Sequence, residues 1–404
     1  MMSTFVSAGF GFFFWIVIAR LFPTKSVGIA TTLISAMTLL NSFSFLGFNS
    51  SLIRYLPKST KRNAKINSVF LLIIGASIVS SFIFILLTNF FSAQLNFLHS
   101  NLLYAASFSL FIIGSTFSQM IDSIFVAYRA TVNVLIKSSI LSILKLIFPI
   151  FFIFIGSYGI FSSVALATLI SAITGFFILI FKYNYVPAIS FDKQVIKQMA
   201  FFSSGNYVAG FLSLAPAQLL SFLIINKLNS ESAAYYYVSS MILSFLTIIA
   251  SSTTSSLLAE GSYNDKELIK HFIKALRISY LFLIPAIIVT IFFGNIILHA
   301  FGKNYAVEAF NFLRIISVSS LFMTISTLGS SILKIRHQIK TLIVLNALGA
   351  IFVLSLSNAF INKGLIGVGY GWLFGQLLLA AVYIVVMGKE FIMPFLMPLK
   401  INNN

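Results

Sequence analysis

The chain has 404 residues, of which 59% are hydrophobic and only 8% are charged, and it contains no cysteine. A soluble domain carries about 25% charged residues, so a soluble protein this apolar could not cover its surface. Without cysteine, the chain has no disulfides, thiol catalysis or cysteine-ligated metals. Long apolar runs in such a composition predict an all-α integral membrane protein.

These apolar runs recur along the whole chain, and short polar connections separate them. A helix needs about 20 apolar residues to cross a bilayer, and about twelve runs approach that length. The first run ends at Arg20 and has no basic residue ahead of it, so we interpret it as a transmembrane helix rather than a signal peptide. The predicted spans are Ser3–Ala19, Gly28–Ser50, Ile66–Thr88, Ala105–Val126, Ser138–Gly156, Ile160–Phe181, Phe201–Ile225, Ala233–Ser256, Ile278–Ile297, Phe310–Leu333, Thr341–Ile361 and Gly364–Met387.

The 26 Lys and Arg residues outnumber the 8 Asp and Glu residues, which gives a formal net charge of +18. In a soluble protein this excess would suggest a nucleic-acid partner. Here the basic residues stand singly between apolar runs, so no nucleic acid is expected. With a cytoplasmic N-terminus, nineteen of the 26 lie in cytoplasmic loops or the C-terminal tail, five in outer loops and two within spans. The positive-inside rule therefore predicts a multi-pass protein of the cytoplasmic membrane with both termini in the cytoplasm.

The middle of the chain predicts a division into two six-helix lobes around a central cavity. Residues 1–182 and 200–404 each contain six predicted spans, and residues 183–199 connect them. In this connection, apolar residues at helical spacing alternate with charged ones such as Asp192 and Lys193. That pattern is typical of an amphipathic helix on the cytoplasmic membrane surface. The alternative is an ordinary polar loop, which the local residues fit equally well.

One lysine falls inside a predicted span, where charge is costly and therefore indicates function. Lys145 lies in the fifth span, one turn before Pro149. Proline frees a backbone carbonyl and kinks a helix, so a cation beside it suggests a water-filled cavity. The alternative is a structural role, in which the lysine side chain extends to the membrane surface.

Three arginines complete the set of candidate substrate-binding residues. Arg20 and Arg54 close the first and second spans on opposite faces of the membrane, and Arg314 lies one turn into the tenth span. Guanidinium groups bind phosphate oxygens through two parallel hydrogen bonds. Each of these arginines, taken alone, also fits the role of an interfacial anchor.

The acidic residues bear on the kind of substrate. Only Asp122 falls within a predicted span, near its cytoplasmic end. It either pairs with a neighbouring cation, which we favour, or takes part in ion coupling. Transport of organic cations, or of protons along carboxylates, would require Asp or Glu at mid-depth. Cations without such carboxylates favour an anionic substrate, for example a lipid phosphate or pyrophosphate.

Catalytic motifs are missing from the sequence. The chain has no glycine-rich phosphate loop, no pair of histidines at metal-binding spacing and no long extramembrane segment. We therefore expect neither an enzyme nor a metal or cofactor site. An ATP-driven transporter would require a partner that supplies the ATPase.

Five short segments lie in order along nearly the whole chain: Ala19–Gly28, Leu46–Arg54, Asn226–Val238, Leu298–Ala306 and Gly364–Gly371. These segments resemble those of polysaccharide biosynthesis and export flippases, the Wzx-type transporters of O-antigen and other lipid-linked oligosaccharides. The first is similar to that family's A-R-x-L-G-P-x-x-[YF]-G turn between helices one and two. The resemblance implies the fold of the MATE-like multidrug/oligosaccharidyl-lipid/polysaccharide exporters, with two six-helix lobes that face each other across a cavity.

The resemblance also implies a function. We expect a flippase for a polyprenyl-(pyro)phosphate-linked oligosaccharide, with membrane lipids and other glycan-assembly membrane proteins as further partners. The nearest alternative is a drug or cation antiporter of the same fold, which would need the acidic mid-membrane site that the sequence lacks. A membrane-embedded glycan polymerase or transferase, and a scaffold without transport activity, are the alternatives from other classes.

Overall fold

The computed structural model describes residues 2–261 and 268–396. Twelve of the sixteen α-helices in these residues have 20 or more residues, and α3, α5, α6 and α13 are short. In chain order the helices are α1 (Met2–Leu21), α2 (Thr24–Ser44), α3 (Phe48–Tyr55), α4 (Arg62–Leu86), α5 (Thr88–Phe91), α6 (Phe97–Ser100), α7 (Leu102–Ala127), α8 (Thr131–Phe151), α9 (Gly156–Tyr183), α10 (Lys193–Lys227), α11 (Ser230–Gly261), α12 (Leu268–His299), α13 (Lys303–Glu308), α14 (Phe310–Ile335), α15 (Ile339–Phe360) and α16 (Gly364–Leu396).

Ten stretches of the described chain are long and apolar enough to cross a membrane. One of them, Ile339–Gly388, contains α15 and most of α16, whereas the apolar part of α1, Gly9–Leu21, is shorter. Each of the twelve predicted spans overlaps one long helix. The prediction of an all-α, multi-pass membrane protein is confirmed, and the predicted number of twelve spans is compatible with the structure.

The helices form two compact units that divide between Tyr237 and Val238. In the first unit, α7 packs against α4 and α9, α9 packs against α8, and α2 packs against α4, α9 and α10. In the second unit, α14 packs against α12 and α16, and α16 packs against α15. The division into six-helix lobes around a central cavity, with boundaries at residues 182 and 200, stays a prediction.

The second unit repeats the internal arrangement of the first at a constant offset of 208 residues. Helices α7 and α14 begin and end at this offset, and each is followed by a left-handed residue, Arg129 (φ 56°) or His337 (φ 56°). In both turns, the N–H of the next residue donates to the carbonyl oxygen five positions earlier, at 2.8 Å. The packing order is also shared, because α4, α7, α9 and α8 correspond to α12, α14, α16 and α15.

A second pair of turns shows the same offset. The pattern Phe-x-x-x-Gly-x-x-Gly occupies the α8–α9 turn at residues 152–159 and the α15–α16 turn at residues 360–367. The first glycine of each pattern has a positive φ, 61° and 70°, which favours glycine because it has no Cβ. A Cβ on the second glycine would lie 2.1 Å or 1.9 Å from the carbonyl oxygen of the pattern's phenylalanine. The chain therefore contains two copies of one helical hairpin.

The connection between α9 and α10 differs from the surface helix that the sequence predicts. Residues 184–192, which the structure describes in full, contain no helix, and residues 193–199 are the first turns of the 35-residue α10. The connection is bound to the start of α4. Asn67 Nδ2 donates to Val186 O at 3.2 Å, and the Asp192 N–H donates to Ser68 Oγ at 2.9 Å. Met199 is fully buried, so part of the predicted membrane-facing side packs against protein.

Candidate functional site

Lys145 lies in α8, four residues beyond the helix midpoint, and its side chain is half-buried. Its Nζ is 5.4 Å from the ring centroid of Phe14 in α1, and the Phe14 side chain is buried. Phe14 contacts Trp15 edge-to-face at 5.0 Å, and Trp15 contacts Tyr237 at 4.6 Å between ring centroids. An aromatic face attracts a cation through its quadrupole. Lys145 is therefore held against one edge of a buried aromatic cluster.

Arg20 and Arg54 lie at opposite ends of α2. Arg20 is in the last turn of α1, directly before α2, whereas Arg54 is in the last turn of α3, directly after it. The 21 residues of α2 span roughly 30 Å at about 1.5 Å per residue. Both arginine side chains are exposed. A single phosphate group therefore cannot contact both of them in this conformation.

A tight turn sets the position of Arg54. Leu46 (φ 49°) and Gly47 (φ 79°) take left-handed conformations between α2 and α3, which turns the chain away from the α2 axis. The Arg54 guanidinium carbon lies 5.6 Å from the ring centroid of Tyr55, and Lys65 Nζ lies 5.8 Å from the same ring. Arg54 thus belongs to a basic cluster at a helix end rather than to the interior of the unit.

Arg314 belongs to the second unit, as the fifth residue of α14. Its side chain is exposed, and its guanidinium carbon lies 5.4 Å from the ring centroid of Phe310, four residues earlier on the same helix. This local contact is of the kind that an interfacial anchor makes. The contacts of Arg314 therefore give no separate indication of a binding site.

Asp122 forms an ion pair with Lys137, a lysine that the sequence did not single out. Lys137 Nζ lies 2.8 Å from Asp122 Oδ1, and it also donates to Ser118 O at 2.5 Å and to Ser118 Oγ at 2.8 Å. The Lys137 side chain is 2% exposed and that of Asp122 is 35% exposed. The ammonium group therefore has two hydrogen bonds to Ser118 and an ion pair with Asp122.

The sequence placed Lys137 in a cytoplasmic loop, and this placement is wrong. The predicted span began at Ser138 because Thr131, Asn133 and Lys137 lower the local hydropathy, whereas α8 begins at Thr131. In this first part of α8, which packs against α9, Asn133 and Lys137 are buried. A Cβ on Gly175 would lie 3.0 Å from Lys137 Cδ, so the glycine makes room for the lysine. In the sequence, burial of a lysine near this position was indicated only by Asp122, because a carboxylate within a predicted span needs a cation nearby.

A network of buried, neutral side chains also lies in the first unit. Asn41 Nδ2 donates to Ser115 Oγ at 2.7 Å, and Thr116 Oγ1 donates to Asn41 Oδ1 at 2.9 Å. Ser77 Oγ donates to Thr116 Oγ1 at 3.1 Å. This network joins α2, α4 and α7 without any charge. No group of three or more His, Cys, Asp or Glu side chains that could hold a metal occurs among the described residues.

Residues 17–308 match the model of a family described as polysaccharide biosynthesis protein, which covers more than half of the chain. The chain belongs to this polysaccharide biosynthesis family. The family resemblance predicted from the short segments is therefore confirmed. No curated protein sequence matches the chain.

Solved structures of transporters share the fold. An inward-facing multidrug resistance MATE family transporter of the MOP superfamily superimposes with a TM-score of 0.76 at 14% identity, over 97% of this chain and 96% of that one. The lipid II flippase MurJ superimposes with a TM-score of 0.73 at 19% identity, over 96% of this chain and 86% of that one. A MOP superfamily transporter from Pyrococcus furiosus superimposes with a TM-score of 0.63 at 15% identity, over 98% of this chain and 94% of that one. At these identities the similarity establishes the fold.

Proposed function

We propose that this protein is a flippase that moves a polyprenyl-(pyro)phosphate-linked oligosaccharide from the cytoplasmic to the outer leaflet by alternating access of two lobes. The observation that carries the proposal concerns Lys145 and Asp122, the two charged residues at half-buried positions in α7 and α8. Lys145 forms no ion pair among the described residues, whereas Asp122 is neutralised by Lys137. An unpaired cation suits an anionic head group better than a cationic drug.

The candidate residues take different parts in this proposal. Lys145 contacts the phosphate or pyrophosphate within the membrane. Because Arg20 and Arg54 lie about 30 Å apart, they contact the head group at different stages of transport, and Arg314 is the weakest candidate. We assign Asp122 a structural role, since its pairing with Lys137 leaves it less suited to ion coupling.

The proposal also includes a location and a reaction class. The protein lies in the cytoplasmic membrane with both termini in the cytoplasm, where other glycan-assembly membrane proteins supply and accept its substrate. It acts as a transporter rather than an enzyme, and it needs no cofactor. Membership of the polysaccharide biosynthesis family and the fold shared with transporters support this assignment.

The test uses the purified full chain in liposomes with a fluorescent polyprenyl-pyrophosphate-linked sugar. We expect Lys145→Ala to slow translocation by about tenfold or more, since a charged hydrogen-bond partner contributes roughly 1.5–3 kcal/mol. Lys363→Ala is the matched control, because Lys363 also lies over a phenylalanine, at 5.8 Å from the ring centroid of Phe360, but in the turn between α15 and α16. Wild-type translocation by Lys145→Ala would overturn the assigned role.

A drug or cation antiporter is the second candidate, and the fold shared with a multidrug resistance transporter favours it. In the same liposomes it predicts uptake of an organic cation driven by a proton or sodium gradient, with no movement of the lipid-linked sugar. The neutral network around Asn41 argues against this candidate, because coupled cation transport relies on interior carboxylates.

A further inference from the structure

A stacked pair of tyrosines marks one end of the first unit. The rings of Tyr128, at the end of α7, and Tyr183, at the end of α9, are parallel within 5°, with centroids 4.9 Å apart. Asn133, buried in the first turn of α8, donates from Nδ2 to the Tyr183 hydroxyl oxygen at 2.8 Å. Three helix ends therefore fix the orientation of the stack.

Three exposed cations lie beside this stack, either in space or along the chain. The Arg62 guanidinium carbon, at the start of α4, lies 5.9 Å from the Tyr128 ring centroid. Lys182 Nζ donates to Asn133 Oδ1 at 3.4 Å, and Arg129 directly follows Tyr128 in the left-handed turn. Arg62 and Lys182 therefore lie near the stack, and the turn holds the backbone of Arg129 next to Tyr128.

Acidic residues do not neutralise this cluster. Residues 1–237 contain fourteen Lys and Arg residues but only three acidic ones, Asp122, Asp192 and Glu231. Asp122 is bound to Lys137, and Glu231 lies at the start of α11. Within the described ranges, Arg62, Arg129 and Lys182 form no ion pair.

The equivalent residues in the second copy differ, so the general excess of Lys and Arg on the cytoplasmic side does not by itself account for this cluster. At the 208-residue offset, Lys270 corresponds to Arg62, but Arg336 replaces Tyr128 and Glu390 replaces Lys182. The second copy therefore keeps a basic helix start and loses both the tyrosine stack and the third cation. The positive-inside rule alone requires no tyrosine stack.

We propose that Arg62, Arg129 and Lys182 bind the phosphodiester head group of an anionic phospholipid, with the Tyr128–Tyr183 stack as the floor of the site. Guanidinium groups pair with phosphate oxygens through two hydrogen bonds, and basic pockets at helix ends bind anionic lipid head groups. Burial raises the pKa of Tyr128, so its hydroxyl stays protonated and able to donate to a phosphate oxygen.

The position of the site favours a phospholipid over the transported substrate. The cluster lies at the ends of four helices, where bilayer head groups lie. Lys145 is twelve residues beyond Asn133 on α8, or roughly 18 Å along the helix axis. The phospholipid site therefore stands independently of the proposed transport function.

The experiment is native mass spectrometry of the full chain released from detergent, with phosphatidylglycerol as the probe and phosphatidylcholine as the zwitterionic comparison. We expect phosphatidylglycerol to be retained preferentially. The double variant Arg62→Gln/Lys182→Gln should weaken its binding by about tenfold or more, since each cation near an anionic lipid contributes roughly 1 kcal/mol. Arg129→Asn should weaken it less, and asparagine tolerates the left-handed backbone.

Lys270→Gln is the matched control, because it removes the equivalent exposed cation of the second copy, and it should leave phosphatidylglycerol binding unchanged. Arg62→Lys keeps the charge and should retain most of the binding. Unchanged binding in the double variant would overturn the proposal, as would an equal loss in Lys270→Gln. Displacement of bound phosphatidylglycerol by stoichiometric polyprenyl pyrophosphate would reassign the cluster to the substrate and also overturn it. Melting curves in phosphatidylcholine establish that the variants are folded.

Discussion

Lys137 and Asp122 form an ion pair of unequal exposure, with 2.8 Å between Nζ and Oδ1 and side-chain exposures of 2% and 35%. The equivalent residues in the second copy are Leu345 and Ser330, and Leu345 is buried. The second copy of this helix pair therefore packs without the two charges.

This difference predicts the outcome of a double-mutant cycle. Asp122→Ser should lower the free energy of unfolding by about 3 kcal/mol, because it leaves a buried ammonium group with only Ser118 as partner. Lys137→Leu should cost less, because the Asp122 side chain that remains is less buried than that of Lys137. The double variant, which reproduces the second copy, should recover most of the loss. Additive losses in chemical unfolding experiments in detergent would contradict this coupling.

The two hairpin turns predict that replacing their glycines by alanine lowers the stability of the protein. A Cβ at Gly159 or Gly367 would meet a backbone carbonyl oxygen at 2.1 Å or 1.9 Å, which the backbone must move to avoid. We expect Gly159→Ala and Gly367→Ala each to lower stability by about 2 kcal/mol or more. The measurement is the melting temperature of the purified protein.

Gly75 supplies the control for these turns. It lies within α4, and a Cβ there would meet nothing within 4 Å. Gly75→Ala should therefore raise stability by about 0.5–1 kcal/mol through helix propensity. A Gly159→Ala variant as stable as Gly75→Ala would show that the turn relaxes without cost.

The absence of cysteine makes the predicted orientation directly testable. Single cysteines at Thr60, Asn101 and Asn362 would occupy exposed positions between helices. We expect a membrane-impermeant maleimide added to intact cells to label Asn101→Cys and Asn362→Cys. It should label Thr60→Cys only after permeabilisation. The reverse pattern would place the termini outside.

Tyr185 predicts a pH-dependent contribution to stability. Its hydroxyl donates to Asn67 Oδ1, and burial raises its pKa to about 12. The folded state therefore holds the proton more tightly than the unfolded state, so this contribution is complete below pH 10 and falls as pH rises from 10 to 12. Tyr185→Phe should cost about 1 kcal/mol at pH 8, and the difference from wild type should narrow toward pH 12. A constant difference across this range would contradict the prediction.

Helix positions followed from the sequence because the length of an apolar run is a local property. Each of the twelve predicted spans overlaps a long helix, and the short segments correctly indicated the polysaccharide biosynthesis family. The excess of cations over acids was equally plain in the composition. These features need no knowledge of which helices are neighbours.

Contacts between distant residues were decided only by the tertiary structure. Lys137 is buried because Asp122, fifteen residues earlier, neutralises it and Gly175, on α9, leaves room for it. The first turns of α10 pack on protein because Ser51 donates to Met199 O, 148 residues away. Local hydropathy assigns such residues to loops or to the surface, because it depends only on neighbours along the chain and ignores contacts with distant residues. The sequence determined where the chain crosses the membrane, and tertiary packing determined which of its charges are buried and paired.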